Sequence, residues 1–199
     1  MKLLWPDLTL CPVNLYSIKW REKIMLSNVM HDLETLDTKE TSVVLSIGAV
    51  KFNADGTDGT FYRRLNISEQ IERGRTVSGD TITWWMLQGG SARAVFSEPS
   101  VSVYLALKEY SAFLGGETCN VWGNGAMFDN AILLNLYAQY SVPRPWSYKN
   151  DRCYRTVLAQ HKDLHPAFET VKPVTAHNAM DDAFAQALTL QKIWNGDQV

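Results

Sequence analysis

The stretch Val29-Met30-His31-Asp32-Leu33-Glu34-Thr35 places two carboxylates two residues apart inside an apolar run that reads as a buried strand. Successive side chains of a strand point to opposite faces, so Asp32 and Glu34 share one face and Leu33 takes the other. Crowding two carboxylates raises the pKa of at least one unless a cation offsets the repulsion, and a bound divalent metal is the usual resolution. Oxygen-only ligands of this kind suit Mg²⁺ or Mn²⁺. Alone, such a pair is more often a solvated strand end that carries two acids by chance. Its meaning depends on matching acids and a base elsewhere in the chain.

Downstream of this stretch, Val43 to Val50 is a nearly unbroken apolar run and predicts a strand over 42–52. The Ala54-Asp55-Gly56-Thr57-Asp58-Gly59 cluster turns it into a third strand over 60–65, giving a three-strand antiparallel meander. Residues 68–79 are polar and read as a connection. A short helix is expected from Thr81 to Gln88, and a longer one between Ser100 and Leu114 with Val101, Tyr104, Leu105 and Leu107 on its stripe, closed by Gly115-Gly116. A short strand follows over 118–122, then helices over 128–140, 152–161 and 178–194. Three strands, two helices, a strand and three helices imply an α/β mixed sheet with an antiparallel meander at one side, the Asp32 strand at its centre and helices packed over it.

At 199 residues the chain has room for one core. With 46% hydrophobic and 20% charged residues its composition is that of an ordinary globular protein. A net charge of −2 argues against attachment to nucleic acid by bulk electrostatics, although local basic clusters can still track a phosphate backbone beside an acidic metal site. Cys11, Cys119 and Cys153 are odd in number and far apart, which suggests neither a disulfide framework nor a zinc cage and fits a reducing, cytoplasmic setting. Pro6 and Asp7 interrupt the only leader-like run, and no apolar run reaches the roughly 18 residues of a membrane span. Residues 1–24 show no sustained period and read as an appendage to a domain over 25–199; Met25 offers an alternative start.

Two further places carry candidate chemistry. Asp129 stands just past the Gly123-Asn124-Gly125 turn in the first turn of a helix, where an acid alone would complement the macrodipole. The last helix opens with His177-Asn178-Ala179-Met180-Asp181-Asp182, a histidine and two acids at a helix start. Of the two acids, Asp181 stands three positions after Asn178 and suits a capping box, which leaves Asp182 free.

Asp32-x-Glu34, then Asp129, then His177 followed five positions on by Asp182, in that order, resembles the DEDDh group of 3′-5′ exonucleases on the ribonuclease H-like fold. The match runs from Leu26 to about Trp194. In detail it is similar to the phage exonuclease A, bacterial exodeoxyribonuclease VIII-like and RNase AS-like branch, through Asp32-Leu33-Glu34-Thr35, Ser46-Ile47-Gly48-Ala49-Val50, Thr83-Trp84-Trp85 with Gln88, Gly123-Asn124-Gly125 before Phe128-Asp129-Asn130, and Arg152-Cys153-Tyr154-Arg155-Thr156. His31 departs from the pattern, which more often has an aliphatic residue there.

The resemblance implies a two-metal hydrolase acting on the 3′ end of DNA or RNA and releasing nucleoside 5′-monophosphates, with DNA slightly favoured. Two divalent ions activate the attacking water and stabilise the departing 3′-oxygen. By resemblance Asp32 bridges both ions, Glu34 and Asp182 complete the site of the attacking water, Asp129 supports the second ion, and His177 is the general base. Trp84 or Trp85 is a candidate stacking platform for single-stranded or 3′-overhang ends, but neighbouring residues of a helix point different ways, so at least one is expected in the core. Arg73, Arg75, Arg152 and Arg155 are candidates for the phosphate backbone, and Asn124 for positioning the turn before Asp129. A homodimer is compatible with the resemblance. Two other readings stay open: a catalytically silent nucleic-acid-binding module, and a phosphoesterase acting on short oligonucleotides.

Overall fold

The computed structural model describes residues 28–116 and 118–196; the expected appendage over residues 1–24 and the alternative start at Met25 lie outside them. Strand β1 (Asn28–Thr35) is the middle of a five-stranded sheet. Strands β2 (Val44–Phe52) and β3 (Thr57–Arg64) continue it antiparallel on one side, while β4 (Asn120–Gly123) and β5 (Asp151–Cys153) continue it parallel on the other, in the order β3-β2-β1-β4-β5. The expected mixed sheet, its meander and the central place of the Asp32 strand are all present.

Seven α-helices are described: α1 (Ile67–Glu72), α2 (Gly79–Met86), α3 (Gly90–Arg93), α4 (Val103–Leu114), α5 (Ala131–Gln139), α6 (Tyr154–Leu164) and α7 (Ala179–Trp194). Because β1 is covered on both faces, its alternation divides two cores rather than core from water. Val29 and Leu33 join Leu107, Tyr110 and Leu133 from α4 and α5 on one face. Met30 joins Ala183, Ala187 and Leu190 of α7 and Tyr154 of α6 on the other, the face to which Asp32 belongs. A third cluster, Leu36, Val43, Leu45, Trp85 and Val95, roofs the C-terminal end of β1.

Several elements differ from the sequence expectation. The sequence predicts a helix from Arg152, but the three residues of β5 pair in parallel with Val121–Gly123, so Arg152 lies on a strand and the helix begins at Tyr154. Three residues are too few to show an alternation. The polar run over 68–79 contains α1, whose buried Gln70 satisfies Val44 at both its N–H and C=O with two 2.8 Å hydrogen bonds. In α4 the buried stripe is Val103, Ala106, Leu107, Tyr110 and Leu114, whereas Tyr104 and Leu105 are exposed. Ser102 caps this helix by accepting from the Leu105 amide, which sets its start and its face.

Candidate active site

The approach of α7 to the sheet makes the site. Gly48 of β2 is paired with Asp32 across the sheet. A Cβ on Gly48 would stand 2.2 Å from the Ala179 carbonyl carbon and 2.3 Å from Met180 N, so only glycine lets the first turn of α7 come down beside Asp32. Asn178 caps that turn, its side-chain oxygen accepting from the amides of Met180 at 3.0 Å and Asp181 at 3.3 Å. His177, just before the cap, has φ +64°, and its amide donates to Asp182 Oδ2 at 2.8 Å. This left-handed residue turns the chain so that the imidazole and Asp182 face the same way. Glu34, His177 and Asp182 consequently present ligand atoms all within 4.8 Å of one another.

Asp129 arrives from the other side. After β4 ends at Gly123, Gly125 takes φ +126°, and a single π-helical turn, Ala126–Asn130, swings the acid back toward β1. Such turns recur at functional positions. Gly123 supplies the space: a Cβ there would lie 2.8 Å from Asp129 Cβ. Asp129 is 2% exposed, and its Oδ2 has no hydrogen-bond partner.

Burial raises every one of these acids, and repulsion from the neighbouring acids adds to it at Asp32 and Glu34. Asp32 is held well above the usual carboxylate range by burial and then by Asp129, Glu34 and Asp182, with a hydrogen bond from Gln186 opposing. Glu34 is pushed up to about 8 by burial, Asp182 and Asp129. Burial lifts Asp129 to about 7 against the Leu33 and Asn124 backbone and the Arg155 charge. Asp182 is raised by burial despite the His177 amide. The ion pairs among the described residues, Arg63–Glu109 and Arg144–Asp151, involve none of these acids. Four raised carboxylates, an orphan carboxylate oxygen and an imidazole form a donor set that a divalent cation fits.

The cleft beside this group has a volume of about 450 Å³ and is lined in part by Leu33, Glu34, Thr35, Trp84, Trp85 and Phe128. The two tryptophans divide as expected. Trp85 is 2% exposed and donates from Nε1 to Thr35 O at 2.9 Å, holding the end of β1. Trp84 is 40% exposed and sets its ring edge-on to His177, centroids 4.7 Å apart. Among the other candidates, Arg155 is exposed and donates to the Asn124 carbonyl at 2.9 Å, which braces the turn before Asp129 and leaves the guanidinium at the rim. Arg152 spends one nitrogen on the carbonyls of Lys149 and Asp151. Arg73 lies over the Tyr140 ring. Arg75 is a correction: it is 5% exposed and holds Ser42 O, Asn135 and Gln139, so it braces the core and does not offer itself to a phosphate. The capping box also differs, because Asp181 Oδ2 accepts from the Thr175 amide and not from the cap residue.

Sequence reasoning missed Gln186 altogether, and it quoted Gly48, Gly123 and Asn130 within motifs without seeing what they do. Gln186 sits one turn after Asp182 on the same face of α7, a spacing that could have drawn notice.

A family model for the 3′-5′ exoribonuclease Rv2179c-like domain matches residues 27–194. The chain belongs to this family. The family is one of 3′-5′ exoribonuclease domains. No curated protein sequence matches the chain significantly. Among solved structures, exonuclease I superposes with a TM-score of 0.67 at 14% identity, over 85% of this chain and 41% of that one. The zinc-bound E. coli exonuclease I complex with single-stranded DNA gives 0.68 at 14% identity, over 86% and 41%. The E. coli enzyme with a dA16 oligonucleotide gives 0.66 at 14% identity, over 85% and 41%. The chain therefore covers about two fifths of the length of these neighbours, and the likeness establishes the ribonuclease H-like fold. Among the described residues no helix is long and apolar enough to cross a membrane.

Proposed function

We propose that this chain removes nucleoside 5′-monophosphates one at a time from an unpaired 3′ end, with Asp32, Glu34, Asp129 and Asp182 holding two divalent cations, Mg²⁺ or Mn²⁺, and His177 acting as general base. The observation that carries it is the convergence of the four raised acids and His177, with Glu34 among them lining a cleft that Trp84 also lines. When bound, the cations would activate the attacking water and stabilise the leaving 3′-oxygen. The chain's own part is positional. The amide of His177 ties the base to Asp182, so proton acceptor and acid move as one unit. The imidazole takes the proton from the attacking water, and the Trp84 ring packed against it limits its rotation. The exposed part of Trp84 offers a face for the terminal base, a contact worth about 1 to 3 kcal/mol, and Arg155 at the rim suits the following phosphate.

The family's description supports RNA as the substrate, while the single-stranded DNA in the exonuclease I complexes keeps DNA in the comparison. Kinship with the phage exonuclease A, exodeoxyribonuclease VIII-like and RNase AS-like branch is part of the same proposal and rests on the five short motifs. A reducing, cytoplasmic setting accords with the free thiols of Cys119 and Cys153. A homodimer is proposed on the resemblance, with sedimentation velocity as its check.

The deciding experiment uses single-stranded RNA and DNA of one sequence, labelled at the 5′ end, with Mg²⁺ or Mn²⁺. A descending ladder that a chelator abolishes and a 3′-phosphate slows is expected. Release of the 5′ label as a mononucleotide would reverse the polarity. Tight binding without cleavage under either metal would instead favour a silent binding module, and cleavage confined to mononucleotide esters a phosphoesterase.

A further inference from the structure

Behind the carboxylates, on the face of β1 opposite Asp32, a chain of hydrogen bonds crosses the core. Tyr110 Oη lies 2.9 Å from His31 Nδ1, and His31 Nε2 lies 3.1 Å from Asn130 Oδ1. Asn130 Nδ2 donates to Val121 O at 3.2 Å and to Asp151 Oδ1 at 2.9 Å. Asp151 is fixed in turn by Trp146 Nε1 at 2.8 Å and Arg144 Nη2 at 2.6 Å. His31 is fully buried and Asn130 is 2% exposed.

The polarity of the chain follows from its charged end. A carboxylate only accepts, so the NH₂ of Asn130 must face Asp151 and its carbonyl oxygen must face His31. His31 then has to donate from Nε2, which leaves Nδ1 to accept from the Tyr110 hydroxyl. Flipping the Asn130 amide would set two oxygens against each other. Three strands, β1, β4 and β5, are thereby tied to one side chain with one allowed orientation.

That side chain is the neighbour of Asp129 in the π-helical turn. Both rest on Gly123, where a Cβ would stand 2.5 Å from Asn130 Oδ1 and 3.2 Å from Asp129 Oδ2. Asp129 Oδ2 has no hydrogen-bond partner, and the carboxylate is otherwise met by the backbone of Leu33 on β1 and of Asn124 and Asp129 in the turn, so its place depends on how the turn is set against β1. We infer that Asn130, locked by His31 and Asp151, is a positioning residue that holds this turn and so places the Asp129 carboxylate beside Asp32. The inference rests on the metal-holding role proposed for Asp129.

The test is Mn²⁺ binding to the full chain by calorimetry, with kcat and KM on a single-stranded oligonucleotide at saturating Mn²⁺, for Asn130→Leu, His31→Leu, His31→Gln and Asp129→Ala. Near-UV circular dichroism checks folding. Loss of an outer-shell partner of a metal ligand typically costs roughly 10- to 100-fold in affinity or activity, and that loss is expected in Asn130→Leu and His31→Leu, in Mn²⁺ affinity and kcat with KM nearly unchanged. His31→Gln, whose amide can donate to Asn130 and accept from Tyr110, should recover most of it. Folded Asn130→Leu binding Mn²⁺ like the parent, while Asp129→Ala does not, overturns the inference alone. Parental binding in Asp129→Ala overturns the metal reading and the inference with it. Should the leucine variants fail to fold, nitrogen-15 NMR of the parent decides: the Nε2–H tautomer of His31 is required, and the Nδ1–H tautomer refutes the lock.

Discussion

Gln186 Nε2 stands 2.8 Å from Asp32 Oδ1, joining α7 to the central strand through a carboxylate that three other acids crowd. Gln186 is 7% exposed and its Oε1 has no hydrogen-bond partner, so the amide is held in the core for the sake of this one donor. The bond favours the ionised form of Asp32 against burial and three neighbouring acids. Gln186→Leu should therefore cut kcat by roughly 10- to 100-fold and shift the Mn²⁺ titration to higher concentration. Parental kinetics in this variant would show that the cations alone orient Asp32.

Gly48→Ala should be worse for the fold than its single methyl suggests. The atoms it would meet, at 2.2 to 2.3 Å, belong to the backbone of Ala179 and Met180, which cannot rotate away. α7 would have to lift, taking His177 and Asp182 with it. We expect about 3 kcal/mol of lost stability, the upper end for overpacking, read by urea unfolding. Activity should fall further than stability. An unchanged urea midpoint would mean that the helix slides along the sheet without cost.

The site was more legible in the sequence than the elements that bring it together. Asp32 and Glu34 could be placed on one face because a strand has a fixed period of two, and Asp129, His177 and Asp182 because their order and spacing matched a known pattern. The meander and the central place of the Asp32 strand were legible as well, but the full strand order was not. What stayed hidden has a common cause, which is that it depends on contacts between distant segments. β5 is a strand only because β4 lies beside it. Arg75 has an ordinary surface sequence around it and is buried because Ser42, Asn135 and Gln139 surround its guanidinium. His31 stood out as an unusual residue, but its partners Asn130 and Tyr110 are 99 and 79 residues away.

Trp84 and Trp85 should separate substrate binding from stability. Trp85→Ala empties a core position and breaks the bond to Thr35 O, a loss of about 3 to 5 kcal/mol. Trp84→Ala removes a ring that is 40% exposed, and it should raise KM several-fold with a thermal midpoint close to the parent. Equal melting losses in both variants would remove Trp84 from the list of substrate contacts.

Adjacent acids at the head of α7 give a second separation. Asp181 accepts from the Thr175 amide at 3.0 Å, whereas Asp182 accepts from the His177 amide and lies with Glu34. Asp181→Ala should lose about 1 kcal/mol, the typical net worth of one hydrogen bond, with little change in rate. Asp182→Ala should lose rate by orders of magnitude. Comparable rate losses would place both acids at the reaction.

The raised acids also fix the direction of the pH dependence in the absence of metal. Glu34 is pushed up to about 8 and Asp129 to about 7, whereas unfolded glutamate and aspartate titrate near 4.3 and 3.9. Between these limits the folded chain binds more protons than the unfolded one, so stability falls as pH rises, the reverse of a salt-bridged carboxylate. In chelator the thermal midpoint should be highest near pH 5 and drop by several degrees toward pH 8. Mn²⁺ needs the ionised ligands, so its binding should release protons at pH 6 and few at pH 8.5, and the midpoint it adds should be larger at the higher pH. Calorimetry in two buffers of different ionisation enthalpy counts those protons. A midpoint in chelator that climbs steadily from pH 5 to 8 would mean that Glu34 and Asp129 are not buried as protonated acids, and the site would have to be rebuilt from that fact.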